Sequence, residues 1–292
     1  MKIKSFAKIN LGLEILGKRA DHYHDILTLF QSIDFWDDLE FRPVGGRDIV
    51  LEGNDPSIPW DESNLIFRAA RMLQEASGVS RGVRIRVHKR IPGGKGLGGG
   101  SGNAAASLYA LNRLWDLGFS RPRLQKIGKD LGSDVPYFLR GGLCLGRERG
   151  DRLTDLAELP PSWCVLALPD FPISTPEIYG KFSSSLTSEG KDSKIMRFLK
   201  TKNFGLLENR LEQTIFRSYP QLVRFKSFFQ DHSAELSLVS GTGSAVFGLF
   251  SEREKAFRAK AELEGSVNAV LAKTLSRRSY WARLRAGASP SW

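Results

Sequence analysis

The sequence predicts a mixed α+β protein of about two domains, and three observations carry that reading. At 292 residues the chain is long enough for about two domains, each with a core of its own. Segments of period-2 alternation stand among segments of helical spacing, with no internal repeat. A proline pair, Leu159-Pro160-Pro161, marks a boundary between the two halves. The 41% hydrophobic and 26% charged content are those of an ordinary globular chain. No apolar run approaches the roughly 20 residues of a membrane span, so no membrane association is expected. No apolar stretch of a signal peptide follows Met1-Lys2-Ile3-Lys4, and Cys144 and Cys164 have no CxxC partner. A cytoplasmic location is the expectation.

From the N-terminus, Ile9, Leu11, Leu13 and Ile15 alternate with Lys8, Asn10, Gly12 and Glu14. This predicts a strand with one wet face, carrying a cation and an amide two residues apart; by itself it reads as a solvated edge. The polar turn 17–25 follows, with Tyr23 offering a stacking ring and His24 a titratable donor. His22 and His24 lack the further ligands of a metal site. Residues 27–41 continue as strand, broken at Asp37-Asp38. After a loop at 43–61, Leu65, Ala69, Met72 and Leu73 predict a helix over 63–76. Val83 to Val87 alternates with Arg84 and Arg86 as a half-buried strand does.

The next stretch organises the rest. Six glycines fall between Gly93 and Gly100, followed at once by Ser101 and by Ala104, Leu108, Leu111 and Trp115 at helical spacing. Such a loop can turn several N–H groups on one point, and the helix behind it adds its positive end. Strand, glycine loop and helix together suit a phosphate, hence a nucleotide. A Walker loop is excluded because Gly96, not Ser or Thr, follows Lys95. Gly94, Gly96 and Gly99 spell GxGxxG, but Arg84, Arg86 and His88 spoil the continuously apolar strand of a Rossmann unit. A plain glycine linker would not end in a helix start after a patterned strand.

A further helix is predicted from Ser120 to Leu131, and Asp134 at the break after it reads as a helix cap. Residues 137–145 read as helix to strand. In the second half, 163–168 is a buried-type strand, 169–179 a proline-pinned loop and 183–192 a polar, mobile stretch. Helices are predicted over 204–216 and 221–229. A second glycine turn sits between strands in 236–250, a charged helix covers 252–263, and the last seven residues fray. The net charge of +11 calls for an anionic partner, and from Gly265 to Trp292 there are five Lys and Arg and no acid. The other basic residues are spread evenly, so nucleic-acid binding as the main function is not expected.

Ala7-Lys8-Ile9-Asn10, the P-x-G-x-G-L-G-G-G-S loop and Ser240-Gly241-Thr242-Gly243 together resemble the GHMP kinase superfamily. The stretches at 19–24, 64–70, 131–136 and 174–179 match it in family order. The resemblance implies a two-lobed α+β fold: residues 1–158 like the second domain of ribosomal protein S5, and a ferredoxin-like lobe over 159–292. It implies ATP and Mg2+, with no metal ligands assignable. Phosphates lie over Pro92, Gly93, Gly94, Lys95, Gly96, Leu97, Gly98, Gly99, Gly100, Ser101 and Gly102, with adenine near Asn64, Leu65 and Lys89. Lys8 and Asp134 match the family's catalytic pair. Asn10, Tyr23, His24, Thr175, Tyr179, Gly241, Thr242 and Gly243 match acceptor positions, Tyr23 and Tyr179 sandwiching a cytosine and His24 bonding its edge. The implied reaction is phosphorylation of a cytidyl diphosphate sugar alcohol in non-mevalonate isoprenoid biosynthesis.

Three positions depart from the family pattern. Gly102 stands where a second Ser is usual, His22 replaces a turn glycine, and Lys95 replaces a small residue, leaving it to touch phosphate or water. Two alternatives stand beside this reading: a sibling kinase for homoserine or mevalonate, and a basic RNA-binding protein that keeps an S5-like lobe.

Overall fold

Two sheets carry the architecture of the computed structural model, which describes residues 1–21, 23–182 and 193–286. In the first half, β1 (Lys2–Lys18) and β2 (His24–Val44) form a long antiparallel pair. They are followed by β3 (Ile49–Gly53), α1 (Leu65–Ser77), β4 (Gly82–His88), α2 (Gly99–Leu114) and α3 (Arg121–Leu131). Then come α4 (Val135–Phe138), β5 (Leu143–Arg147) and β6 (Arg152–Asp155). The order in this sheet is β3-β4-β2-β5-β6, with β1 also on β2 and β3 parallel to β4.

The second half contains β7 (Trp163–Leu168), α5 (Thr175–Lys181), α6 (Lys194–Thr201), α7 (Glu212–Ser218) and α8 (Val223–Asp231). It continues with β8 (Leu236–Val239), β9 (Val246–Phe250), α9 (Arg253–Leu263), β10 (Asn268–Lys273) and α10 (Arg277–Ala286). Its sheet is antiparallel throughout in the order β10-β7-β9-β8, the ferredoxin-like arrangement in which the first strand lies between the fourth and the third. The helix α10 returns to the first half, packing Tyr280, Trp281 and Leu284 with Phe6 and Leu275.

Local chemistry explains the element boundaries. Asn64 caps α1 by accepting from the Ile66 N–H at 2.9 Å, and Gly78 ends it at φ 70°. Ser120 caps α3, whose start at Arg121 lies one residue past the predicted one. The Gly248 backbone admits the Phe229 ring of α8, since a Cβ there would lie 2.7 Å from it.

Four sequence expectations are corrected. The loop expected over 169–179 ends at Ser174, which caps α5 by accepting from Glu177 N. The strand β1 has no wet face, because Lys8, Asn10 and Glu14 are 4%, 2% and 1% exposed. The glycine loop, the 240–243 turn and the start of α6 cover that face, as the bonds from Lys8 N to Leu97 O, Asn10 N to Ser240 Oγ and Ile195 N to Glu14 Oε1 show. The Asp37-Asp38 pair does not break β2, which pairs with β1 and β4 through Asp38; Asp37 is fully buried because four donors meet it. Residues 204–216 are not one helix. A single 3-10 turn at Phe204–Leu206 gives way to extended chain at Asn209, which bridges to Leu13 and donates its amide to Val239 O and Gly241 O, before α7 begins. The expectations for His22, for 183–192 and for the last six residues lie outside the described residues.

Candidate active site

The glycine loop forms a cradle that depends on bare backbone. Gly94, Gly96 and Gly98 have φ of 65°, 73° and 70°, conformations that side chains with a Cβ rarely adopt. At Gly96 a Cβ would also lie 1.9 Å from Ser240 O, so the two glycine turns of the chain are in contact. The helix α2 starts at Gly99, inside the glycine run, and its ladder begins with Gly102 N donating to Gly98 O. The N–H groups of Gly99, Gly100 and Ser101 therefore have no intrahelical acceptor, and Gly98 offers no side-chain cap. This is the arrangement an anionic oxygen occupies at a helix start.

A buried charge cluster fixes the loop's entry. Asp37 accepts from Arg90 N at 2.7 Å and Ile91 N at 2.8 Å through one oxygen. Through the other it accepts from Lys89 Nζ at 2.5 Å and Asn103 Nδ2 at 2.9 Å. Lys89 also donates to Asn103 Oδ1 at 3.0 Å. One carboxylate thus joins β2, the start of the loop and the first turns of α2.

Lys8 and Asp134 meet on the cradle's inner side. Their Nζ and Oδ2 are 3.6 Å apart, with side chains 5% and 28% exposed. Asp134 stands at the start of α4, yet its side chain makes no capping hydrogen bond. The cap reading of Asp134 is therefore replaced: its carboxylate faces an ammonium instead. Lys8 Nζ donates to Asn10 Oδ1 at 2.6 Å, Asn10 Nδ2 donates to Thr28 Oγ1 at 2.8 Å, and Thr28 donates to Gly12 O at 2.8 Å. Burial pushes the Lys8 pKa down, and the Asp134 charge pushes it part of the way back.

A cavity of 770 Å³ opens from this pair. Lys8, Asn10, Gly96, Gly98, Ser101 and Asp134 line its inner end; Tyr23, His24, Arg149, Thr175, Tyr179, Gly241 and Thr242 line the rest. Thr175 and Thr242 share a hydroxyl hydrogen bond of 2.9 Å. His24 stacks on Tyr179 with centroids 5.1 Å apart at 29°, while the 55% exposed Tyr23 has the Arg149 guanidinium 4.8 Å over its ring. Burial and the nearby Lys18 charge lower the His24 pKa, which favours the neutral imidazole. Burial, with the Asp134 charge, raises that of Tyr179, which stays protonated. A separate hollow of 470 Å³ beside Trp115 and Arg123 collects none of the predicted site residues.

The remaining predicted residues take varied places. Leu65 lies against Gly100 and Lys89 against Gly99, so Asn64, Leu65 and Lys89 flank the far side of the loop. Pro92 and Gly93 are at its rim, Leu97 is buried beneath it, and Gly243 supports the second turn. Gly102 faces inward, a Cβ there lying 3.0 Å from Ser5 Oγ and 3.2 Å from Phe6 O, so close packing on β1 suits glycine. Lys95 takes neither expected course. It is 7% exposed and its ammonium donates to Phe171 O at 2.8 Å and to Pro169 O, away from the cradle. Sequence reasoning missed Asp37, Thr28, Asn209 and Arg149, and it placed Ser240 in the 240–243 motif without its contact to the glycine loop. Thr28 and Asn209 carried no signal beyond a polar residue among apolar ones, and Arg149 none beyond its charge; Asp37 had a signal, a carboxylate inside a strand pattern, which reads locally as a break.

Residues 64–142 match the family of GHMP kinases N terminal domains and 195–269 that of GHMP kinases C terminal domains. The 4-diphosphocytidyl-2-C-methyl-D-erythritol kinase of Pelotomaculum thermopropionicum is 41% identical over 272 residues, 91% of this chain and 94% of that one. The chain belongs to the GHMP kinases. The kinase of the same description from Syntrophus aciditrophicus is 42% identical over 264 residues, 90% of this kinase and 94% of its own length. A crystal structure described as 4-(cytidine 5'-diphospho)-2C-methyl-D-erythritol kinase superposes with a TM-score of 0.81 at 35% identity, covering 94% of this chain and 99% of that one. A Methanococcus jannaschii mevalonate kinase, at 15% identity and TM-score 0.71 over 94% of this kinase and 98% of its own chain, shares the fold. Among the described residues of this ATP-dependent small-molecule kinase, no helix is long and apolar enough to cross a membrane.

Proposed function

We propose that this kinase transfers the γ-phosphoryl group of ATP to the 2-hydroxyl of 4-diphosphocytidyl-2-C-methyl-D-erythritol, a step of isoprenoid precursor biosynthesis. The observation that carries the mechanism is the Lys8–Asp134 pair, held 3.6 Å apart where the glycine cradle meets the acceptor cavity. Phosphoryl transfer needs in-line positioning, neutralisation of charge and one acceptor for the hydroxyl proton. Asp134, uncapped and ion-paired, takes the proton from the acceptor hydroxyl. Lys8 faces that carboxylate at 3.6 Å and lies beside the oxygens that gain charge. The N–H groups of Gly99, Gly100 and Ser101 hold phosphate oxygens, and Asn10, locked by Thr28, keeps the Lys8 ammonium aimed at Asp134.

Mg2+ is read as the partner of ATP, and Ser101, which lines the cavity beside Asp134, fits it as a hydroxyl donor. When bound it would offset the charge of the β- and γ-phosphates. The residues 1–158 are read as the nucleotide lobe and 159–292 as the acceptor lobe. Tyr23, His24 and Tyr179 at the cavity's outer part suit a flat neutral base; His24, stacked on Tyr179, forms one wall with it instead of bonding the base's edge, and Tyr23 forms the other. The net charge of +11 serves two polyanionic small molecules rather than a nucleic acid, and a cytoplasmic setting accords with the free, buried Cys144 and Cys164. The test is an acceptor panel with ATP. The cytidyl compound should be phosphorylated in preference to homoserine and mevalonate, and the reverse preference would overturn the reading.

A further inference from the structure

We propose that Lys95 is a positioning residue, a buried cation that ties the nucleotide loop to the segment carrying Thr175 and Tyr179, so that nucleotide and acceptor reinforce each other's binding. The inference rests on the nucleotide and acceptor sites read above.

A lysine this enclosed needs a reason. Taking an ammonium from water is costly, and an apolar chain of similar length would fill the same space without that cost. No carboxylate lies within ion-pair distance of Lys95 among the described residues, though the charge of nearby Asp170 offsets part of the burial; its hydrogen-bond partners are the main-chain carbonyls of Pro169 and Phe171. These carbonyls belong to the loop between β7 and α5. Phe171 O also accepts from Ser244 Oγ at 2.6 Å, so one carbonyl is held from the glycine loop and from the second glycine turn.

Backbone contacts run in parallel with the side chain. Ile173 N donates to Gly94 O at 3.1 Å, Ala245 N to Lys95 O at 3.2 Å, and Ser240 Oγ to Gly96 O at 2.9 Å. A Cβ at Gly94 would fall 2.7 Å from Pro172 Cβ, so the two loops touch directly. Two residues beyond Ile173 stands Thr175, bonded to Thr242, and one helical turn on stands Tyr179; all three line the acceptor end of the cavity. A nucleotide that orders the cradle therefore orders Lys95, and Lys95 orders the start of α5. Linkage makes the effect mutual, since a ligand that favours one arrangement at either site favours binding at the other.

The experiment is calorimetric titration of a non-hydrolysable ATP analogue, with and without saturating cytidyl acceptor, on the wild type, Lys95→Met, Ser244→Ala and the double variant. The wild type should bind the analogue about 5-fold or more tightly when acceptor is present. In Lys95→Met this ratio should fall by about twofold or more, the backbone contacts keeping the remainder, with the melting temperature and the affinity for acceptor alone nearly kept. Ser244→Ala should lower the ratio by a smaller factor and add nothing in the Lys95→Met background, because both act on one carbonyl. A wild type without coupling, or a folded Lys95→Met protein that keeps it, overturns the proposal. If Lys95→Met does not fold, unchanged coupling in Ser244→Ala overturns it. Failure of the wild type to bind the acceptor at all strikes instead at the functional reading, and the tie falls with it.

Discussion

Asp37→Asn is the perturbation whose cost the structure defines most sharply. The carboxylate is fully buried and meets four donors: the Arg90 and Ile91 N–H groups, the Asn103 amide and the Lys89 ammonium. Asparagine keeps one oxygen for the two backbone donors. Its amide, however, then faces the Lys89 ammonium and the Asn103 amide, donor against donor, and Lys89 becomes a buried charge without a counter-ion. Breaking one side of a buried pair costs about 3–5 kcal/mol. For a chain of this size each kcal/mol moves the melting temperature by roughly 2–4 °C, so a drop of about 10 °C is expected. The assay is thermal unfolding beside steady-state kinetics, in which the KM for ATP should rise while that for the acceptor holds. Lys89→Met in the same chain removes the stranded charge and should recover most of the lost stability. A single variant within about 1 kcal/mol of wild type, or a double variant no better than the single, would refute this account of how the loop is held.

Other outcomes follow from the same geometry. Gly98→Ala places a Cβ 2.7 Å from the Phe138 ring and 3.2 Å from Lys8 Cγ at a φ of 70°, so it should cost about 1–2 kcal/mol and lower kcat; an unchanged kcat would separate Lys8 from this contact. Thr28→Val keeps the shape but leaves Asn10 Nδ2 and Gly12 O without their shared hydroxyl, a loss of about 1–3 kcal/mol, and kcat should fall more than the melting temperature alone explains. Lys8 works as a cation, which is present at low pH and lost as pH rises through its pKa. Because burial lowers that pKa, the alkaline limb of kcat/KM should begin below the value of about 10.4 of a solvated lysine, and Lys8→Met should remove the limb. A limb that persists in Lys8→Met would belong to another group.

Much of the fold was legible because its signals are local. Alternation placed β1 and β4, apolar residues at helical spacing placed α1, and the glycine run announced both the cradle and α2. What escaped depends on contacts between distant parts of the chain. Burial of Lys8, Asn10 and Glu14 comes from segments some 90 to 230 residues away, so a strand with both faces covered still reads as amphipathic. Asp37 resembled a breaker because its four donors are contributed by β4's exit and α2, and 204–216 was interrupted by pairing with β1 that no local pattern encodes. For the site, the loop was legible from its glycines and the helix behind it, while Lys8 and Asp134 came from motif resemblance, and the two side chains stand 3.6 Å apart. Lys95 shows the limit of that method: the glycines around it predict a phosphate contact, while the carbonyls of 169–171 turn its side chain the other way.

Asp134 accepts the proton in the proposed mechanism, with Lys8 beside it at 3.6 Å. This role is tested by kcat of Asp134→Asn for phosphorylation of the cytidyl acceptor, with analogue affinity and melting temperature measured on the same protein. Asparagine keeps the shape and removes the base, so kcat should fall by about 10²–10⁴-fold with nucleotide binding and stability kept, and Lys8→Met should add less to it than its own effect in wild type. A folded Asp134→Asn enzyme turning over at near the wild-type rate would contradict the account.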